Sequence, residues 1–134
     1  MPNNETYPVT IRRGDAPSFS ARIRNNAGAY ITQATVSTIA YTIYTLTRSE
    51  PAARAAVTAH TAVACTVSAV VFDTLQTGVP WGTKDTTGYN FLHQPNVATT
   101  IFANLGSDQY LVEYTITPTT GRLIQIGFLV SVTV

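Results

Sequence analysis

Cys65, His60, His93 and Asp73 are the residues whose types could do chemistry in this chain. A thiol, an imidazole base and a carboxylate that orients the base make a nucleophilic triad, and such triads are assembled in space, not along the sequence. The competing reading is a small core cysteine with histidines on strands or loops, and it is the default because free cysteine is among the most buried residue types. Neither histidine stands in a metal-binding spacing, such as two histidines four apart on a helix. Cys65 is alone, so an intrachain disulfide and a four-thiolate zinc site are both excluded. Gly14, Gly28 and Gly121 fall at predicted turns and cradle no phosphate after a strand. The inventory therefore predicts no enzyme, no cofactor and no metal.

Charge narrows the partners. Eight Lys and Arg residues against seven Asp and Glu give a net charge of +1, too little for the clustered basic face that displaces counterions from nucleic acid. Charged residues make up 11% of the chain, against about a quarter in ordinary globular domains. Neutral polar side chains must hydrate the surface instead, and about 23 threonines, with Ser, Asn and Gln, fill that role. Threonine is β-branched and fits a pleated surface, so the composition is that of an all-β protein. A weakly charged surface with net charge near zero tends toward association, and the expectation is a homo-oligomer or a place in a larger assembly. The longest mostly apolar stretch, 62–72, is too short to span a bilayer. The first residues lack the basic and apolar regions of a secretory signal, so synthesis in the cytoplasm is expected and no membrane is implied.

The elements that must position these residues are strands. Phe19, Ala21 and Ile23 alternate with Ser18, Ser20, Arg22 and Arg24, the period of a half-buried strand, and Tyr7, Val9 and Ile11 make a shorter run before it. Asn25-Asn26-Ala27-Gly28 reads as a turn that starts a hairpin. Residues 36–46 alternate with aromatic and β-branched residues on both faces, as a central strand does. Residues 48–56 break the period and fit a short helical turn or a mobile loop equally well. Residues 57–67 read as one or two strands, and shorter strands are placed at 89–92 and 99–103. The clearest element is the last hairpin. Tyr110, Val112, Tyr114 and Ile116 share a face, Pro118-Thr119-Thr120-Gly121 turns the chain, and Ile124, Ile126, Phe128, Val130, Val132 and Val134 share the face of the return strand. One domain over 1–134 follows: a single antiparallel β-sandwich, Ig-like or jelly-roll-like, of about seven to nine strands. Residues 1–6 are expected to be a flexible arm that orders on a neighbour. Residues 73–88, dense in Gly, Pro and Asp, are expected to be a long loop, and loops of that length usually carry binding or assembly contacts.

Trp81, the lone tryptophan, stands in that loop with Phe72, Leu75, Tyr89 and Phe91 around it in sequence. These five are the candidate protein-interface residues, since tryptophan is enriched at interface hot spots. The alternative is a satellite cluster that caps one end of the sandwich. Sheet edges add a second possibility, because Lys84 is the single lysine and threonine-rich edges lack charged guards. Arg13-Gly14-Asp15 spells an adhesion tripeptide and Asn4-Glu5-Thr6 a glycosylation acceptor, and both read as chance.

Arg13-Gly14-Asp15-Ala16-Pro17 leading into a strand, Asn26-Ala27-Gly28-Ala29-Tyr30-Ile31, and Ala34-Thr35-Val36 ahead of Ile39-Ala40-Tyr41-Thr42-Ile43 together resemble the opening of small β-sandwich domains in tailed-bacteriophage virion proteins. Gln109-Tyr110-Leu111-Val112-Glu113-Tyr114, the Thr119-Thr120-Gly121 turn and the apolar final strand are similar to the end of the same domains. The likeness covers roughly half the chain, and 48–103 reads as an insertion into the pattern. The resemblance implies a non-enzymatic structural protein of the virion: a capsid cement or decoration protein whose partners are the major capsid protein or other virion proteins. A neck, tail or baseplate component is the alternative within that class. From other classes come a carbohydrate-binding or adhesion module using Trp81, Tyr89 and Asp85, and a cytoplasmic enzyme using Cys65.

Overall fold

A computed structural model describes residues 3–12, 17–46, 55–57, 60–78, 81, 86–95 and 109–133. The expected strand at 99–103, the adhesion tripeptide 13–15 and most of 48–56 lie outside these residues. The order of elements is β1 (Asn3–Arg12), β2 (Phe19–Ala21), a 3-10 turn (Gln33–Thr35), β3 (Val36–Thr45), β4 (Ala55–Ala56), β5 (Val63–Cys65), the one-turn helix α1 (Val67–Val70), β6 (Val71–Gln76), β7 (Tyr89–His93), β8 (Gln109–Pro118) and β9 (Ile124–Thr133). They form two sheets. The larger runs β1-β9-β8-β3-β4, with β5 also paired to β3, and the smaller runs β2-β7-β6. The all-β, sandwich-like fold expected from composition and period is the fold of the chain.

The alternation that marked the last hairpin also sets its register. Tyr110, Val112, Tyr114 and Ile116 on β8 sit opposite Val130, Phe128, Ile126 and Ile124 on β9, and all eight are buried. On the other side of β8, Tyr114 faces Tyr41 and Val112 faces Ile43 on β3. Because side chains alternate with a period of two, one such register carries the whole inward face of three long strands. Phe19, Ala21 and Phe91 on the smaller sheet close the core from the opposite side. Phe19 lies 4.9 Å from Phe128, and Phe91 lies 4.9 Å from Tyr114 in an edge-to-face contact, so aromatic rings join the layers.

Several expectations change. From Asn3 onward the supposed arm is strand: β1 pairs with β9 from Asn3 opposite Ile124 to Arg12 opposite Thr133. Its pairing is parallel, so the sandwich is antiparallel throughout the described ladders except here. Tyr7, Val9 and Ile11 turn toward the core and supply the apolar face that makes the pairing worthwhile. Within 73–88, Asp73 to Gln76 belong to β6, which begins in the apolar stretch read as strand only up to Val67. Val67 to Val70 instead make a helical turn, with Val71 N–H donating to the Val67 carbonyl. Ala55 and Ala56 are strand, paired with Thr45 and Tyr44, not helix.

Two features pin the smaller sheet. Gly88 has a φ of +102°, and a β-carbon there would meet the Gln76 carbonyl oxygen at 2.5 Å, so only glycine lets the chain come back beside β6. Asn90, 1% exposed, replaces missing strand pairing with its side chain. Its Oδ1 accepts from Ile23 N–H at 2.8 Å, and its Nδ2 donates to the carbonyls of Ile23 at 2.9 Å and Ile31 at 3.3 Å.

Candidate functional site

The sandwich brings the chemistry-bearing residues together in one place. Cys65 on β5 sits opposite Ile39, and Val63 opposite Tyr41, so the thiol faces inward like its β3 neighbours. Ala62, with a φ of +51°, bends the chain into β5 and is held by its N–H donating to the Thr42 hydroxyl at 2.9 Å. From the other sheet, His93 projects inward at the end of β7, opposite Phe19. Its Nε2 lies 3.9 Å from Cys65 Sγ, and its Nδ1 lies 2.7 Å from the Tyr114 hydroxyl. The Tyr41 ring lies 5.1 Å from His93, tilted by 51°, and its hydroxyl meets His60 Nδ1 at 2.9 Å.

Two of the three members of the imagined triad therefore meet, and His93 is the histidine that meets the thiol. Asp73 does not join them. Its Oδ1 accepts from Gln33 N–H at 2.7 Å at the start of the 3-10 turn, which makes it a local brace. His60 is linked to the group only through Tyr41.

The electrostatics of the cluster favour neutral groups. Burial pushes the Cys65 thiol up to about 11 and lowers His93 to about 4. Burial also raises Tyr114 well above its ordinary value, with Cys65 and then Tyr41 adding to the effect, and Tyr41 is raised by burial and by Cys65. Among the described residues, no carboxylate or cation stands in the group to stabilise a thiolate-imidazolium pair. Two neutral arrangements satisfy it: Tyr114 donates to Nδ1 and Nε2–H points at sulfur, or Nδ1–H donates to Tyr114 and S–H points at Nε2. Reactive cysteines need the reverse environment, one that lowers the thiol pKa.

Alkylation offers a direct check. Thiolate is the reacting species, so a pKa near 11 leaves Cys65 with roughly a hundredfold less of it at neutral pH than a free cysteine has. Labelling by iodoacetamide in the folded protein is expected to be at least that much slower than in denaturant and to rise about tenfold per pH unit. Rapid labelling at pH 7 in the native state would instead point to a reactive thiol and favour the enzyme reading.

A second check uses acid. The unfolded imidazole takes up a proton as pH falls through 6.5, whereas the folded one resists until about 4. The stability this gives is fully present above 6.5 and is lost as the pH falls to 4. Across that window the wild type should lose about 2 kcal/mol more than His93→Asn, a figure below the full linkage value because the ring is only half-buried and solvent screens its charge. Denaturant titrations of both proteins at pH 7 and pH 4 measure it, and parallel slopes would show that His93 has no such role.

The interface candidates occupy another part of the smaller sheet. Phe91 is in the core. Tyr89 is buried between Trp81 at 5.6 Å and Phe72 at 5.7 Å, and Trp81 itself is 8% exposed. The chain thus holds these rings as the satellite cluster, with Phe72 and Leu75 half-buried, and does not display Trp81 as a sticky patch. The sequence left a satellite cluster and an exposed patch open alike; the T-shaped and tilted packing of Phe72, Tyr89 and Trp81 is the tertiary contact that favours the cluster.

No three of His, Cys, Asp and Glu gather as metal ligands among the described residues, and no helix among them is long and apolar enough to cross a membrane. Comparison of the chain with protein-family models, with curated proteins and with solved structures gave no match.

Proposed function

We propose that this chain is a non-enzymatic structural protein of a tailed-phage virion, a cement or decoration protein that stabilises the capsid shell through contacts with the major capsid protein. The observation that carries the reading is the edge of the larger sheet. β1 is ten residues long and, among the described residues, pairs on one side alone, with β9. Its exposed described side chains are Thr6, Pro8, Thr10 and Arg12, and the ten-residue strand carries two charged residues, Glu5 and Arg12, in a run otherwise of neutral polar and apolar residues, a lightly charged edge where sheet proteins usually place more charged guards. A monomer free in solution gains nothing from such an edge, while an assembly protein uses it as a template for a neighbour's strand.

The neutral Cys65-His93-Tyr114 group supports the non-enzymatic part, since it has the geometry of a cross-sheet brace and the protonation states of one. The sugar-binding alternative loses its platform, because the ring of Trp81 is packed against Tyr89 and is not offered to solvent. Shells prepared without the chain test the proposal. Added purified protein should bind them and raise the temperature at which they open, and should give no signal on a glycan array. A protein that ignores shells and answers to a glycan would reverse the assignment.

A further inference from the structure

At one end of the sandwich two turns face each other across a cleft of about 400 Å³. Asn25 and Asn26 line it from the turn after β2, and Pro118, Thr120, Gly121 and Arg122 line it from the β8-β9 turn. Both walls are braced. Asn25 Oδ1 accepts from Ala27 N–H at 2.9 Å and Ala29 N–H at 3.0 Å, while Thr119 N–H donates to the Thr35 carbonyl at 2.9 Å. Gly121, at a φ of +99°, provides the left-handed step of the second turn. Arg24, beside the first turn, spends its guanidinium on the Gly28 carbonyl at 3.1 Å, the Tyr30 hydroxyl at 2.9 Å and the face of the Tyr30 ring at 4.3 Å.

Arg122 is different. It lines the cleft and makes no hydrogen bond or ion pair with any described residue, and no lining residue is acidic. Next to it, Leu123 is 46% exposed, the one large apolar side chain so exposed among the described residues. A guanidinium with free donors, amide and hydroxyl groups around it and an exposed apolar side chain on the next residue match a carboxylate carried by a peptide segment that also has an apolar side chain. The size suits a few residues of such a segment.

We infer that this cleft binds a protein carboxylate, with Arg122 as its anchor and the neighbouring exposed Leu123 as an apolar contact for the same segment. The protein nature of the partner rests on the assembly reading given above; affinity for a carboxylate does not. The carboxylate can come from an acidic side chain or from a chain terminus, and two probes distinguish these sources: N-acetylglutamate amide and N-acetylleucine.

The test is a titration of the 15N-labelled chain with each probe, followed by the amide signals of Asn26, Thr120, Gly121 and Arg122. Saturable shifts confined to the two turns are expected with at least one probe. They should weaken at least about tenfold in Arg122→Ala and be partly kept in Arg122→Lys, since a charge-assisted pair is at stake. Arg122 is exposed, so these variants should melt as the wild type does. Absence of saturable shifts, shifts that survive Arg122→Ala, or tighter binding of inorganic phosphate than of either probe would each overturn the inference. A last arm separates it from the reading it rests on. If Arg122→Glu abolishes probe binding yet binds shells like the wild type, the cleft does not hold the shell partner and the partner assignment falls. If the wild type itself ignores shells while probe binding persists, the assembly reading falls instead.

Discussion

Replacing Phe128 with alanine is expected to lower the unfolding free energy by about 4 kcal/mol, the largest effect of any single truncation in the chain. Phe128 is 2% exposed and stands where three parts of the molecule meet. Its ring is 4.9 Å from Phe19 on the smaller sheet, 5.5 Å from Tyr7 on β1, and 5.9 Å from Tyr114 on β8 at a right angle. Removing the ring leaves a cavity that none of the three can fill. Rigid strand registers on both sides of β9 prevent the backbone from closing in, so the cavity cost adds to the lost transfer free energy. Urea denaturation measures the loss. A cost below about 1.5 kcal/mol would mean that the sheets collapse onto one another and that the aromatic layer is not what joins them.

Asn90→Ala is expected to cost about 3 kcal/mol, a large figure for a residue that a sequence reading passes over. Its amide stands in for a strand at a point where β2 has ended and the chain passes through Ile23 and Ile31, both 2% exposed. Without it the Ile23 N–H is left buried with no acceptor, while the Ile23 carbonyl keeps its bond from Ile31 N–H at 3.2 Å. The penalty is thus mainly one orphaned donor plus the lost bonds to two carbonyls. Two readouts check this: the denaturation midpoint, and hydrogen exchange at the Ile23 amide, which should lose protection by a larger factor than the β8 and β9 amides do. Uniform loss across all strands would show that Asn90 contributes to global stability without serving that local bond.

How much of this was written in the sequence depends on the range of the interaction. The inward faces of β3, β8 and β9 follow from strict alternation, and Tyr41, Ile43, Val112, Tyr114, Ile126 and Phe128 are all buried as their positions predict. The parallel partnership of β1 and β9 joins opposite ends of the chain, and the polar start of β1 hid it. β6 was obscured because Val70 and Val71 continue an apolar run in which a helical turn and a strand look alike. Asn90 lies between two aromatics in a run that signals only strand, and its partners Ile23 and Ile31 are 67 and 59 positions away. In the site, the residue types were enough to nominate Cys65 and His93, yet not to decide their role. That role depends on burial between two sheets, which removes charge from both groups, and on Asp73 being held by Gln33 far along another element. Trp81 shows the converse: its type marked it as important, and packing against Tyr89 turned it inward.

The central claim is that the chain belongs to an assembled shell, and counting copies tests it most directly. Particles purified from the source should be quantified by mass spectrometry for this chain and for the major shell subunit. The proposal predicts a ratio near a simple fraction of the shell subunits, constant between preparations. A handful of copies per particle would move the protein to the neck, tail or baseplate, and its absence from purified particles would contradict the claim outright.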